Sequence, residues 1–146
     1  MATYKYVIPL RPRPWSRAGY NGKCRVFYDK QAEDKLLMGF YILRDHAGRP
    51  KLTVPLHMRV VFVLPRPLNR RRKFTRYPSI VPDLDNYFKL VGDALQKNEI
   101  ISNDALIVKT CATKIYGKEA KTIFTLTELT NKWEDDFDEE TEIDCC

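Results

Sequence analysis

Residues 82–97 read Pro82-Asp83-Leu84-Asp85-Asn86-Tyr87-Phe88-Lys89-Leu90-Val91-Gly92-Asp93-Ala94-Leu95-Gln96-Lys97. Leu84, Phe88, Val91 and Leu95 recur at i, i+4, i+7 and i+11 and fall on one helical face. The stretch therefore predicts a helix from Asp83 to about Lys97. Asp83 stands at its start, where a carboxylate can cap, and Asp85 lies in the first turn. Asp85 and Lys89 are four apart and share the polar face. A loop from Pro65 to Pro82 precedes this helix and carries Arg66, Arg70, Arg71, Arg72, Lys73 and Arg76. A third acid, Asp104, follows after a short return segment.

Outward from this helix, periodicity suggests the remaining elements. Residues 4–10 alternate loosely and read as a strand. Residues 11–23 form a basic loop punctuated by proline and glycine, and Cys24–Tyr28 is a short strand candidate. A first helix is expected from Asp29 to about Arg44, with Leu36, Leu37, Phe40 and Leu43 at helical spacing, ended by His46–Pro50. Residues 56–64 are the best strand in the chain. Residues 98–104 read as a turn or short strand. Residues 105–116 and 120–129 read as two further strands, with Val108, Ile115, Ile123, Phe124, Leu126 and Leu129 as their expected buried positions. The order β-β-α-β-α-β-β predicts an α+β domain: a small mixed β-sheet with two helices packed on it.

The 146 residues suit one domain, and 44% hydrophobic content is enough to bury a core. No apolar run approaches the ~20 residues of a membrane helix, so no membrane partner is expected. The N-terminus has no apolar segment of the secretory type. Residues 134–146 hold eight acids and no Lys or Arg, which leaves 25 basic residues against 11 acids, a net +14, in residues 1–133. The chain thus divides into a basic body, 1–133, and an acidic tail, 134–146, expected to lack fixed structure. A body so charged attracts polyanions, of which nucleic acid is the commonest. The four cysteines form no C-x-x-C pair and there are only two histidines, so no zinc ligand set is evident. Reduced thiols in a cytoplasmic setting are expected.

Three carboxylates near one helix start, Asp83, Asp85 and Asp104, can hold one or two hard divalent cations. Such ions serve phosphodiester hydrolysis by stabilising the attacking and leaving oxygens, and Lys89 would neutralise phosphate charge. The same residues admit a purely structural account. Asp83 can be a helix cap, Asp85 a dipole partner ion-paired to Lys89, and Asp104 a turn initiator. A calcium loop of the EF-hand type is excluded, because its sixth position would be Phe88 and its twelfth Ala94. Basic groups interleave with aromatics in two places, Arg11, Arg13, Trp15, Arg17, Tyr20 and Arg66–Tyr77. That is the composition of a surface that binds phosphates and stacks bases.

These residues resemble the RusA family of Holliday junction resolvases. Asp83-x-Asp85-Asn86-x-x-Lys89 with Asp93-Ala94-Leu95 one turn on carries the resemblance, together with Asp104 before Ala105-Leu106-Ile107-Val108. An N-terminal strand followed by Arg11-Pro12-Arg13-Pro14, and Tyr28 leading into a helix, adds to it. The resemblance covers about residues 4–129. It implies a homodimeric endodeoxyribonuclease that uses Mg²⁺ or Mn²⁺ to place paired symmetric nicks in four-way DNA junctions. Asp83, Asp85 and Asp104 match the family's metal-binding acids and Lys89 its essential lysine. Asn103 stands where many relatives carry an acid, and Val81-Pro82 where a basic residue often precedes the first Asp. The resemblance also suits a bacterial cell or a phage-infected host. On this reading Arg11, Arg13, Arg17, Arg70, Arg71, Arg72, Lys73 and Arg76 contact DNA phosphates. Three other readings remain open at this point: a non-catalytic branched-DNA-binding module, a nuclease for flaps, other branched DNA or RNA, and a structural or protein-interaction role.

Overall fold

The structure, a computed structural model, describes residues 2–15, 30–68 and 75–144. Strand β1 (Thr3–Ile8) leads to helix α1 (Lys30–His46), strand β2 (Leu56–Pro65), helix α2 (Leu84–Lys97), a 3₁₀ turn (Asp104–Leu106), strand β3 (Ile107–Gly117) and strand β4 (Lys121–Glu128). The order in the sheet is β1-β4-β2-β3, with β2 and β3 parallel and the other pairs antiparallel. This is the expected α+β architecture with a mixed sheet and two helices. The candidate strand Cys24–Tyr28 lies outside the described residues. The 98–104 segment makes only an isolated bridge, Leu52 with Ile101.

β3 and β4 are consecutive in sequence but do not pair, because β2 lies between them. β2 is the central strand for a chemical reason. Its core-facing side, Leu56, Met58, Val60, Phe62 and Leu64, is buried throughout, and on the other side His57 and Val63 are buried, Val61 is half-buried and Arg59 is exposed. The core lies on the side of Leu56–Leu64, where those residues meet Tyr6, Ile8, Phe124 and Leu126 from the sheet. Met38 and Ile42 of α1, and Tyr87, Leu90, Val91, Ala94 and Leu95 of α2, complete it. Val108, expected to be buried, is 58% exposed. It is the extra residue at a register shift near the start of edge strand β3: Leu56 pairs with Ile107 and His57 with Lys109, leaving Val108 without a β2 partner. Phe124 and Leu126 are buried as expected; Ile115, Ile123 and Leu129 are half-buried.

α1 corrects the expectation about its apolar face. Leu36, Leu37, Phe40 and Leu43 are exposed, Leu36 at 72% and Phe40 at 66%. The core-facing stripe is Met38, Ile42 and His46 instead. Both stripes satisfy a 3.6-residue period. What selects the second is His46: its Nδ1 accepts from the Tyr6 hydroxyl at 2.7 Å, and its Nε2 donates to the Pro50 carbonyl at 2.9 Å. Burial pushes the Tyr6 phenol far above its usual range, so it stays a donor. The Tyr6 ring also stacks on Phe124, with centroids 4.7 Å apart.

The acidic tail, expected without structure, is described to Asp144 and contains a 3₁₀ turn, Glu139–Asp144. Glu142 forms an ion pair with Lys109 of β3. No helix among the described residues is long and apolar enough to cross a membrane.

α2 ends at Asn98, whose side-chain amide donates to the Ala94 carbonyl at 2.7 Å. That cap sits against Gly39 of α1: a Cβ at Gly39 would stand 2.6 Å from Asn98 Nδ2. Gly39→Ala is therefore expected to destabilise the fold by roughly 1–3 kcal/mol through overpacking. Urea denaturation of the variant measures this, and a co-substitution Asn98→Gly should recover part of the loss.

Candidate active site at the start of helix α2

α2 buries Tyr87, Leu90, Val91, Ala94 and Leu95, with Leu84 and Phe88 packed at the edge of the core. Fixing that face turns Asp83, Asp85 and Lys89 outward, and all three are exposed. Asp83 occupies the N-cap position in extended geometry (φ −66°, ψ 151°), yet its side chain makes no capping hydrogen bond. Only its backbone carbonyl takes part, accepting from Asn86 N at 3.1 Å. Lys89 does not pair with Asp85: among the described residues no ion pair joins them. Its ammonium instead lies over the Trp15 ring, 3.5 Å from the centroid. Trp15 is itself tied to α2, since its N–H donates to the Asn86 carbonyl at 2.9 Å. Such a contact favours the cation by about 0.5–2 kcal/mol, depending on solvent.

Asp104 opens the 3₁₀ turn before β3, and its N–H is received by Gln96 Oε1 at 3.2 Å, which docks the turn on the end of α2. The capping of this turn falls to Asn103, whose Oδ1 accepts from Ala105 N at 2.8 Å. So the side-chain capping roles open to Asp83 and Asp104 are unfilled or done by another group, and Asp85 keeps only its favourable place in the first turn of the helix. Asp93, in contrast, is spent on the fold, paired with Lys35 of α1 at 3.8 Å.

The donor set suits a hard divalent cation: exposed carboxylate oxygens with no soft ligand beside them. Among the described residues, no three His, Cys, Asp or Glu side chains are gathered closely enough to enclose an ion. Mg²⁺ is commonly held by one or two carboxylates with waters and substrate phosphates, and Asp83 with Asp85 in one helical turn fits that mode. Asp104 lies at the other end of α2, its backbone held by Gln96, about 20 Å of helix from Asp83, so the fold does not bring it to the pair.

The basic residues divide. Arg11 and Arg13 are exposed and line a cavity of about 130 Å³ with Phe62, Tyr87 and Val91. Burial raises the Tyr87 phenol and Arg11 opposes that shift, which places its guanidinium within electrostatic reach of α2. Arg76 is exposed and lies over the Tyr77 ring at 5.2 Å. Arg17, Arg70, Arg71, Arg72 and Lys73 lie outside the described residues.

Two residues beside the site carried no sequence signal. Trp15 was grouped with the basic aromatics but not with Lys89. Lys114 of β3 sends its ammonium to the carbonyls of Ile80 and Pro82, at 3.0 and 3.1 Å, immediately before Asp83.

Because the Asp83 carboxylate caps nothing, Asp83→Ala should change stability by no more than ~0.5 kcal/mol. The small helix-dipole gain is offset by relieved repulsion from Asp85. Asn103→Ala should cost about 0.5–1.5 kcal/mol, the worth of a lost hydrogen bond. Denaturant midpoints of the two variants measured side by side give the comparison.

No curated protein matches the chain significantly. The family model described as endodeoxyribonuclease RusA matches residues 9–127, a span that begins just after β1 and contains both helices, β2, β3, the three acids, Lys89 and most of β4. With more than half its length matched by that model, this chain belongs to the RusA family of endodeoxyribonucleases, the Holliday junction resolvases.

Proposed function

We propose that the chain resolves four-way DNA junctions by paired, symmetric, divalent-metal-dependent nicks, with its chemistry at the exposed start of α2. The observation that carries this reading is the Asp83 carboxylate, which stands at a helix N-cap without capping it. Asp85, free of Lys89, supports it. Asp83 and Asp85 would hold Mg²⁺ or Mn²⁺, with waters and substrate phosphate completing the shell; Asp104, at the far end of α2, stands outside this pair. A bound divalent ion supplies Lewis-acid activation of water and charge neutralisation at phosphate. Lys89, held over Trp15, presents a positive charge one turn from Asp85, where charge builds on the phosphate in the transition state. Arg11, Arg13 and Arg76, with Arg17, Arg70, Arg71, Arg72 and Lys73, would hold flanking phosphates, so affinity should fall steeply with salt.

Paired nicks call for two sites, and we propose a homodimer whose two-fold axis matches that of a junction. The face of α1 made by Leu36, Leu37, Phe40 and Leu43 supports this. Four large apolar side chains on one exposed helical face suit burial against a second copy.

On an immobile four-way junction with Mg²⁺, wild type should nick two opposed strands, leaving linear duplex intact, and EDTA should abolish the reaction. Asp83→Asn should lose at least ~100-fold in single-turnover rate, about 2.7 kcal/mol, while binding the junction as tightly as wild type or more tightly. Nicking retained in Asp83→Asn would refute the site. Binding without cleavage in any divalent ion would favour a non-catalytic junction-binding module.

The paired variant Leu36→Glu/Phe40→Glu should turn a dimer into a monomer by light scattering, with its melting temperature little changed, and should convert paired nicks into single ones.

A further inference from the structure

We infer that Lys114 is a positioning residue for Asp83, an inference that rests on the reading of Asp83 as a metal ligand. The loop that delivers Asp83 to α2 has no regular secondary structure from Thr75 to Pro82. Three bonds tie it to β3. Tyr116 N–H donates to the Arg76 carbonyl at 2.9 Å. The Lys114 ammonium donates to the carbonyls of Ile80 and Pro82. Lys114 pairs in register with Phe62 of β2, on the face of the sheet that carries the helices, so its stem points toward the loop rather than away from it.

One cation thus bridges two carbonyls within three residues of Asp83. An ammonium has three donors, and bonds from a charged donor are about twice as strong as neutral ones. Fixing Ile80 and Pro82 restricts the backbone on the loop side of Asp83, while α2 restricts it on the other. The carboxylate of Asp83 has no hydrogen bond of its own to orient it as a cap. Its placement relative to Asp85 therefore depends on this backbone clamp. Losing the clamp should loosen the metal site and raise the metal concentration the enzyme needs. The rest of the junction-binding surface should be left as it was.

The test compares wild type with Lys114→Met, Lys114→Gln and Lys114→Arg in the full chain. Gln keeps two N–H donors without charge, and Arg keeps both charge and donors. Three quantities are measured: Mn²⁺ binding to the metal-free protein by electron paramagnetic resonance, the Mg²⁺ concentration for half-maximal nicking, and amide hydrogen exchange of the peptide spanning residues 78–84. Lys114→Met should weaken Mn²⁺ binding and raise the Mg²⁺ requirement at least tenfold, with faster exchange in that peptide. Junction affinity measured without metal should stay within about threefold. Arg and Gln should recover part of the loss, and excess Mg²⁺ should recover much of the Lys114→Met rate. Unchanged Mn²⁺ binding and Mg²⁺ requirement in Lys114→Met would overturn the inference. So would a loss of rate that tracks only melting temperature across the three variants. Asp83→Asn run alongside separates the two claims: if it nicks and binds Mn²⁺ as wild type does, the reading of Asp83 fails, whatever Lys114 does to exchange in the loop.

Discussion

The burial of one face of α2 is the constraint on which the rest depends. Tyr87, Leu90, Val91, Ala94 and Leu95 are packed between α1 and the sheet, and the larger of them each contribute about 1.5–3 kcal/mol by leaving water. That packing sets the rotation of the helix about its axis. Asp85 and Lys89 are then directed outward with no further cost, and Asp83 is left at the exposed N-terminus, where the helix dipole favours negative charge. Gly39 sets how closely α1 can approach the other end of α2, because the Asn98 cap occupies the space its side chain would need. The same packing that stabilises the domain therefore decides which side chains at the start of α2 face outward.

Around α2, structural and chemical duties are given to different side chains. Asn103 caps the turn that Asp104 opens, and Asn98 rather than an acid closes α2. Asp93 takes the ion pair with Lys35. Lys114 satisfies two loop carbonyls that would otherwise rely on water. Trp15 takes the Lys89 ammonium, which keeps that charge from collapsing onto Asp85. Asp83 and Asp85 are left exposed at the start of α2 after these pairings, with no side-chain partner among the described residues, and Asp104 is left exposed at its other end. The acidic tail meets the body through Glu142 and Lys109.

Much of this was legible in the sequence, for particular reasons. α2 was legible as a helix from the period of Leu84, Phe88, Val91 and Leu95 and from Asp83 at its start, whereas the buried face is centred on Tyr87, Leu90, Val91 and Ala94, with Leu84 and Phe88 at its margin. β2 was legible as a strand because of the apolar, β-branched run Val60–Leu64 beside the alternating Leu56, Met58 and Val60. α1 was legible as a helix but not in its orientation: Leu36, Leu37, Phe40 and Leu43 outnumber Met38 and Ile42. The deciding contact, Tyr6 with His46, joins residues 40 apart. The separation of β3 from β4 by β2 is likewise a long-range fact, and so is the exposure of Val108 at the sheet edge. At the start of α2, Asp83, Asp85 and Lys89 stand out through their spacing, while Asp104, grouped with them by sequence, is set by the fold at the other end of the helix. Trp15 and Lys114 do not stand out, since a cation over a ring and a lysine under a loop leave no local pattern. The sequence suggested a Lys89–Asp85 pair because i, i+4 geometry permits it. The Trp15 ring, brought in from before α1, displaced that pairing.

The central claim is that the exposed start of α2 is the metal-dependent catalytic centre. Paramagnetic broadening by Mn²⁺ in the amide spectrum of the isotopically labelled chain tests it most directly. The account predicts that substoichiometric Mn²⁺ broadens the amides of Asp83–Asn86 first, ahead of those at the far end of α2, and that Asp83→Asn removes the effect. Broadening centred on the acidic residues 134–144, with α2 untouched, would contradict it.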